Sequence, residues 1–232
     1  VKEVRQFISG SARLAAEIDK KPFDRLVFVE KDANRARELE QLKRKYPHRN
    51  IDIRRDDANK FLSGMTEDWR RWRGVLFLDP FSTEVEWSTI EKIASYEALD
   101  TWVLFPVGAI SRMLPKSKLP QDIDDGWARC LTRIYGDRSW EQLCSKDKGM
   151  LNLEIDDVHR RDPGVSGLCK LYKDKLGKLF GERYLDTSRS LKNSNNAVLY
   201  EFLFCVGNSS SKAIKPAKNI AKHLLDRLEK WQ

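Results

Sequence analysis

The sequence predicts an α/β protein built on a doubly wound, mostly parallel sheet, with an antiparallel last strand and a helical insertion. Three observations lead there. Short apolar runs at Arg25–Glu30, Gly74–Leu78 and Thr101–Pro106 are separated by helix-length amphipathic stretches, the rhythm of parallel βαβ units with right-handed crossovers. The runs are apolar on both faces, as strands between two helical layers are. Successive strands end in acids, Glu30, Asp57 and Asp79, and ligands of open α/β sheets lie just outside the carboxyl ends of such strands.

The elements follow in order. Ser9-Gly10-Ser11, with Leu14, Ala15 and Ile18 behind it, predicts a serine-capped helix. Lys21-Pro22-Phe23-Asp24 is a turn and Arg25–Glu30 a buried strand. Asp32 caps an amphipathic helix that runs to Tyr46, with Leu39 and Leu42 inward and Arg35, Arg37, Lys43, Arg44 and Lys45 mostly outward; Pro47 stops it. Ile51–Arg55 alternates, as a strand near a sheet edge does, and Ala58–Trp72 reads as a helix despite Gly64. Gly74–Leu78 reads as a central parallel strand ending at Asp79-Pro80-Phe81, followed by a helix at Trp87–Tyr96 and a strand closed by Pro106.

After Ile110 the rhythm breaks. Pro115, Pro120 and an acidic turn at Asp122, Asp124 and Asp125 lead into helices at Trp127–Tyr135 and Trp140–Cys144. Lys146–Asp162 shows no period, and Cys169–Phe180 is helical. Tyr184–Leu191 and Asn196–Val206 are expected to pair antiparallel. The second run is apolar on both faces except at Glu201, so it is expected to insert into the sheet rather than edge it. Pro216–Trp231 closes the chain as a helix with Ile220, Leu224 and Leu228 on one stripe. The whole reads as a single domain over 1–232, with 111–180 as a helical lobe within it.

Composition narrows the function classes. The 232 residues are 41% hydrophobic and 34% charged, the balance of a soluble globular chain, and no apolar run is long enough to span a bilayer. Four scattered cysteines and three scattered histidines argue against a zinc site and a disulfide framework, and fit a reducing, cytoplasmic setting. A net charge of +8 favours an anionic partner such as nucleic acid, although ordinary solubility accounts for it as well.

The strand-end acids suggest specific chemistry. A carboxylate after the second strand suits the two hydroxyls of a ribose, and an Asp-Ala pair such as Asp57-Ala58 suits an adenine amino group, the alanine leaving room for the ring. Helix capping is the equally weighted alternative for Asp57 and Asp32, and loop capping for Asp79. Basic residues cluster at Lys43 to Lys45 with Arg49, at Arg54 and Arg55, at Arg70 to Arg73, and at Arg112, Lys116 and Lys118. The last group follows the strand closed by Pro106, which makes Arg112 the best candidate for a substrate contact; for the others a solvated helix face is the better reading. Trp69, Trp72 and Trp87 suit either base stacking or, more simply, core packing.

Phe28-Val29-Glu30-Lys31-Asp32, Asp57-Ala58-Asn59, Phe77-Leu78-Asp79-Pro80-Phe81, Phe105-Pro106-Val107-Gly108 with Arg112, and Leu199-Tyr200-Glu201-Phe202-Leu203-Phe204, in this order and spacing, resemble the three-Cys-motif partner proteins (TcmP). Those are bacterial and phage-associated relatives of class I S-adenosylmethionine-dependent methyltransferases. The resemblance runs from about Ser9 to the last helix and implies a Rossmann-like, seven-stranded sheet. It implies S-adenosylmethionine as cofactor: Glu30, with Lys31 beside it, on the ribose, Asp57 and Ala58 on the adenine, and Asp79 facing the methyl-transfer site. Asp79-Pro80-Phe81 also resembles the Asp-Pro-Pro-aromatic motif of amino-group methyltransferases, which implies catalytic roles for all three residues.

Two departures stand beside it. The first strand and glycine-rich loop of such enzymes are absent, Gly10 being the only glycine before Gly64, so they are expected upstream of Val1. Asp79-Pro80-Phe81-Ser82 also lacks the second proline, and Ser82 stands where the family usually has glycine. The leading expectation is therefore methyl transfer to an amino group, on nucleic acid. The alternative is a methyltransferase-shaped chain without transfer activity that works with a three-Cys-motif protein; a weaker third is nucleotide binding for another reaction.

Overall fold

The computed structural model describes residues 10–79, 83–114, 119–144 and 165–228. The chain is α/β, with helices and two sheets, and it divides into two compact units, Val1–Thr66 and Glu67–Gln232.

In the first unit residues 10–16 are helical (α1), followed by β1 (Leu26–Val29), α2 (Ala33–Lys45), β2 (Ile51–Arg54) and α3 (Ala58–Ser63). The two strands pair in parallel, Leu26 opposite Ile51 and Val29 opposite Arg54. Ala16, Leu26 and Ile51 form the core, with Ala15, Phe28, Tyr46 and Ile53 against it. Leu14 stays exposed, outside the apolar spacing expected of α1. Asp32 caps α2 as expected, accepting the Asn34 and Arg35 amides. The helix expected over Ala58–Trp72 stops at Gly64, whose amide bonds the Lys60 and Phe61 carbonyls; glycine gives up more backbone entropy in a helix than any other residue, so the helix ends there.

The second unit contains β3 (Gly74–Leu78), α4 (Trp87–Tyr96), β4 (Leu99–Phe105), α5 (Val107–Met113), α6 (Asp125–Tyr135), α7 (Val165–Phe180), β5 (Tyr184–Lys192), β6 (Val198–Cys205) and α8 (Ser211–Leu228). Its sheet runs β3-β4-β6-β5, parallel between β3 and β4 and antiparallel elsewhere. β6 thus inserts between β4 and β5, as its two apolar faces required. Of Trp140–Cys144, expected as helix, all but the capping Cys144 lies in a 3-10 segment, Arg138–Leu143. Lys146–Asp162 lies outside the described residues.

Two expectations fail here. β3 was read as a central strand, yet in this sheet it is an edge, paired with β4 alone, with Val75 55% and Phe77 36% exposed. Its apolar run matches two-sided burial in composition, but only the Leu78 end is buried. The apolar stripe of α8 is also displaced: Ile220 and Leu224 are exposed, while Ala221 and Leu225 are buried with Ile214 and Ala217 alongside. A period of four fits either row, and small alanines admit the Trp102, Phe202 and Phe204 rings where larger side chains would hold the helix away.

Helices lie on both faces of this sheet. α8 packs on the face carrying Phe204 and Leu185. On the other, Phe105 stacks on Tyr172 of α7 at 4.0 Å, and Tyr135 of α6 and Trp87 of α4 meet Tyr172 edge-on. Trp87 is therefore core, as the simpler reading had it, while Trp69 leans on Tyr96 and Trp72 is exposed. Glu201 is 6% exposed, with both carboxylate oxygens occupied: Ser188 Oγ donates to one, Ser190 Oγ to the other at 2.7 Å, and Lys173 Nζ of α7 lies 3.3 Å away. Ser188 sits within the irregular register of β5 between Leu185 and Arg189.

Candidate functional site

The acids expected at strand ends emerge at strand ends. In the first unit the Glu30 amide continues the ladder onto the Arg54 carbonyl, so Glu30 and the Asp56-Asp57 turn leave the two strands at the same end. Glu30 Oε1 accepts the Asp32 amide at 2.8 Å and Arg35 Nη2 at 2.9 Å, and Oε2 accepts Arg35 Nε at 2.8 Å. Arg35, expected on the outer face of α2, instead turns back and clamps the carboxylate. An ionised carboxylate has about four acceptor positions, so one remains, on Oε2. This side chain can take one ribose hydroxyl with the clamp in place, not the expected pair.

Asp57 caps α3, its Oδ1 accepting the Lys60 amide at 3.1 Å, and Asp56 Oδ1 accepts the Asp57 amide. The capping reading of Asp57 is thus observed, and it leaves Oδ2 unengaged among the described residues. Ala58 opens α3 and is half-buried; Lys31 is exposed. The residues present fit an adenosine in kind: a carboxylate oxygen for an amino group, a small residue beside it, and one acceptor for a hydroxyl.

In the second unit Asp79 follows β3 directly and is half-buried. Burial pushes its carboxyl above the usual carboxylate range, and no cation among the described residues offsets this. Pro80 and Phe81, the other two expected catalytic residues, lie outside the described residues, as do Ser82, Lys116 and Lys118. Arg112, in the last turn of α5, is exposed and has no ion-pair partner among the described residues.

Tyr200 of β6 joins these two. It is half-buried; burial raises its hydroxyl's pKa, the nearby Asp79 carboxylate adds to that, and the Arg112 guanidinium acts the other way. Sequence reasoning placed Tyr200 in the family-like motif without a role. The signal that could have found it is a tyrosine beside Glu201 in a strand otherwise apolar on both faces. A close approach brings Arg112 here: a Cβ on Gly108 would lie 2.8 Å from the Val198 carbonyl oxygen and 3.1 Å from Leu199 Cα, both backbone atoms that cannot swing aside. Gly108→Ala should therefore push α5 off β6 and cost about 1–2 kcal/mol, the overlap outweighing alanine's better helix propensity. Urea denaturation checks this; a stabilised variant would show that the contact relaxes freely.

Between β4, α6 and α7 lies a small cavity of about 10 Å³, lined by Thr83, Phe105, Pro106, Ile134 and Tyr172. It has room for little more than one water, so it is not where a cofactor sits. The other basic clusters are largely engaged. Arg49 donates to the Ala16 and Ile18 carbonyls and pairs with Asp19, Arg54 shares Asp52 with Arg25, and Arg73 donates to the Trp69 and Trp72 carbonyls. The four cysteines are free thiols; burial pushes Cys169 up to about 12 and Cys205 well up, which makes both poor nucleophiles at neutral pH. Among the described residues no helix is long and apolar enough to cross a membrane. Compared with models of known protein families, with curated proteins and with solved structures, the chain matches none.

Proposed function

We propose that this chain is a class I methyltransferase-like protein of Rossmann-like architecture that transfers a methyl group from S-adenosylmethionine to an amino group. The observation that carries the reading is Asp79: a desolvated carboxylate at a strand end, with no cation among the described residues holding it, is costly unless it has work to do. Glu30 and Asp57 supply the adenosine contacts from the first unit, with Arg35 holding Glu30 in one orientation. The cofactor, when bound, supplies an electrophilic methyl on a sulfonium. Asp79 accepts a hydrogen bond from the acceptor amine, aims its lone pair, and stabilises positive charge growing on nitrogen. Arg112 meets the acceptor's anionic part.

Titration calorimetry of the intact protein with S-adenosylmethionine tests this. A saturable heat that disappears in Glu30→Ala is expected. No heat removes the enzyme reading and leaves a second one, favoured by the Arg35 clamp on Glu30: a methyltransferase-shaped chain that acts in complex with a three-Cys-motif protein.

A further inference from the structure

The edge strand β5 carries two extra residues in its middle. Tyr184 and Leu185 stand opposite Cys205 and Phe204, while Arg189, Ser190 and Leu191 stand opposite Phe202, Glu201 and Tyr200, so Asp186, Thr187 and Ser188 together face Leu203 alone. The excess is even. Side chains alternate along a strand, so a slip of one residue would turn every side chain to the wrong face, whereas a slip of two keeps each on its own. Leu185 and Arg189 thus share the face of Phe204, on which α8 packs, and Ser190 shares the face of Glu201, which Lys173 of α7 meets at 3.3 Å.

Continuing the register of Tyr184 and Leu185 through the whole strand gives a second pairing that the same residues satisfy. Thr187 then faces Phe202, Ser188 faces Glu201 and Arg189 faces Tyr200. The Ser188-x-Ser190 spacing gives Glu201 a facing hydroxyl either way, and both serines already donate to it. The released residues would pass into the mostly exposed hairpin loop 193–197, where the ladder is already irregular between Leu191 and Lys192. Asp186 opposes the change. It is exposed as the strand stands, but in the second register it would face Leu203, which is fully buried, one step along the strand from Glu201. A second carboxylate on that face, with Lys173 already paired to Glu201, is costly to bury. We propose that β5 is a two-register strand and that the Asp186 carboxylate selects the register. Its charge keeps the extra residues inside the strand; removing that charge lets them pass into the loop. The switch carries Arg189 from beside Phe202 to beside Tyr200, towards the end of β6 where Gly108 of α5 lies against Val198 and Leu199, and so sets whether a cation stands there. None of this depends on methyl transfer.

Residue-resolved NMR of the intact protein reads the register from the cross-strand partner of Phe202, which is Arg189 in one register and Thr187 in the other. The wild type should show the Arg189 contact, with the second register as a minor state of about 1% in saturation-transfer spectra. Asp186→Asn, which keeps the shape without the charge, should raise that state about tenfold, and Asp186→Val should make it the major form. Serine variants give an independent readout. Ser190→Ala should lower the melting temperature of the wild type but not of Asp186→Val, whereas Ser188→Ala should lower both. Phe202 paired with Arg189 alone in both Asp186 variants would overturn the proposal, and so would a Ser190→Ala effect undiminished in Asp186→Val. Should Asp186→Val fail to fold, the Asp186→Asn spectra decide: a second set of signals with the Thr187 contact upholds the switch, and one set with the Arg189 contact ends it.

Discussion

Glu201→Ala should destabilise the second unit by about 3 kcal/mol, the low end of what breaking a buried ion pair costs. The carboxylate sits in the middle strand of the antiparallel part of the sheet, and three groups depend on it. Two serine hydroxyls from β5 lose their acceptor, and Lys173 loses its counter-charge. Lys173 is a quarter exposed and can turn partly to water, which holds the cost below that of a fully dry pair. Ser188 lies in the irregular stretch of β5 and Ser190 just past it, in register with Glu201, so the carboxylate also fixes where β5 resumes its register on β6. Glu201→Gln keeps the shape and one good acceptor and should cost less, about 1–2 kcal/mol, and Ser190→Ala about 1 kcal/mol. For a unit of this size each kcal/mol lowers the melting temperature by about 2–4 °C, so calorimetric scans separate the series. If glutamine melts with the wild type, the charge contributes nothing and the cluster is held by shape and hydrogen bonding alone.

Glu201 also shows which parts of this chain were legible in its sequence. A run apolar on both faces except at Glu201 marked β6 as an inserted strand, and the structure puts it between β4 and β5. Strand and helix existence followed from periodicity at β1, α2, β2, α4 and β4, because each has a cap or a breaker at its ends. The errors share a cause. Periodicity reports that a face is apolar, not what covers it, so β3 was read as central and the α8 stripe was placed on Ile220 and Leu224. The strand-end acids were legible as positions, and the Asp57 cap as one of two equal readings. Arg35 on Glu30 was not, because periodicity places a side chain on a helix face and does not fix where its head group turns. The electrostatic influence of Asp79 on Tyr200 joins residues over a hundred positions apart, a proximity no local pattern encodes.

Asp79→Ala should lower methyl transfer at least about a hundredfold while leaving S-adenosylmethionine binding intact, and it should not destabilise the protein at neutral pH. The second half of that expectation separates a functional carboxylate from a structural one. Burial raises the folded-state pKa of Asp79 above its unfolded value near 3.9, so the folded chain holds this proton more tightly than the unfolded chain. As pH rises from about 4, the unfolded state ionises first, and folding loses stability until the folded carboxyl ionises as well. The wild type should therefore gain on the alanine variant as the solution is acidified towards pH 3, and lose ground to it at pH 7. A carboxylate that served the fold through an ion pair would give the opposite slope, because its folded pKa would be depressed. Parallel melts at the two pH values, with transfer of labelled methyl to a single-stranded oligonucleotide measured on the same samples, read both halves. Loss of cofactor heat in the variant would move Asp79 into the cofactor pocket, and a pH slope of the opposite sign would return it to the fold.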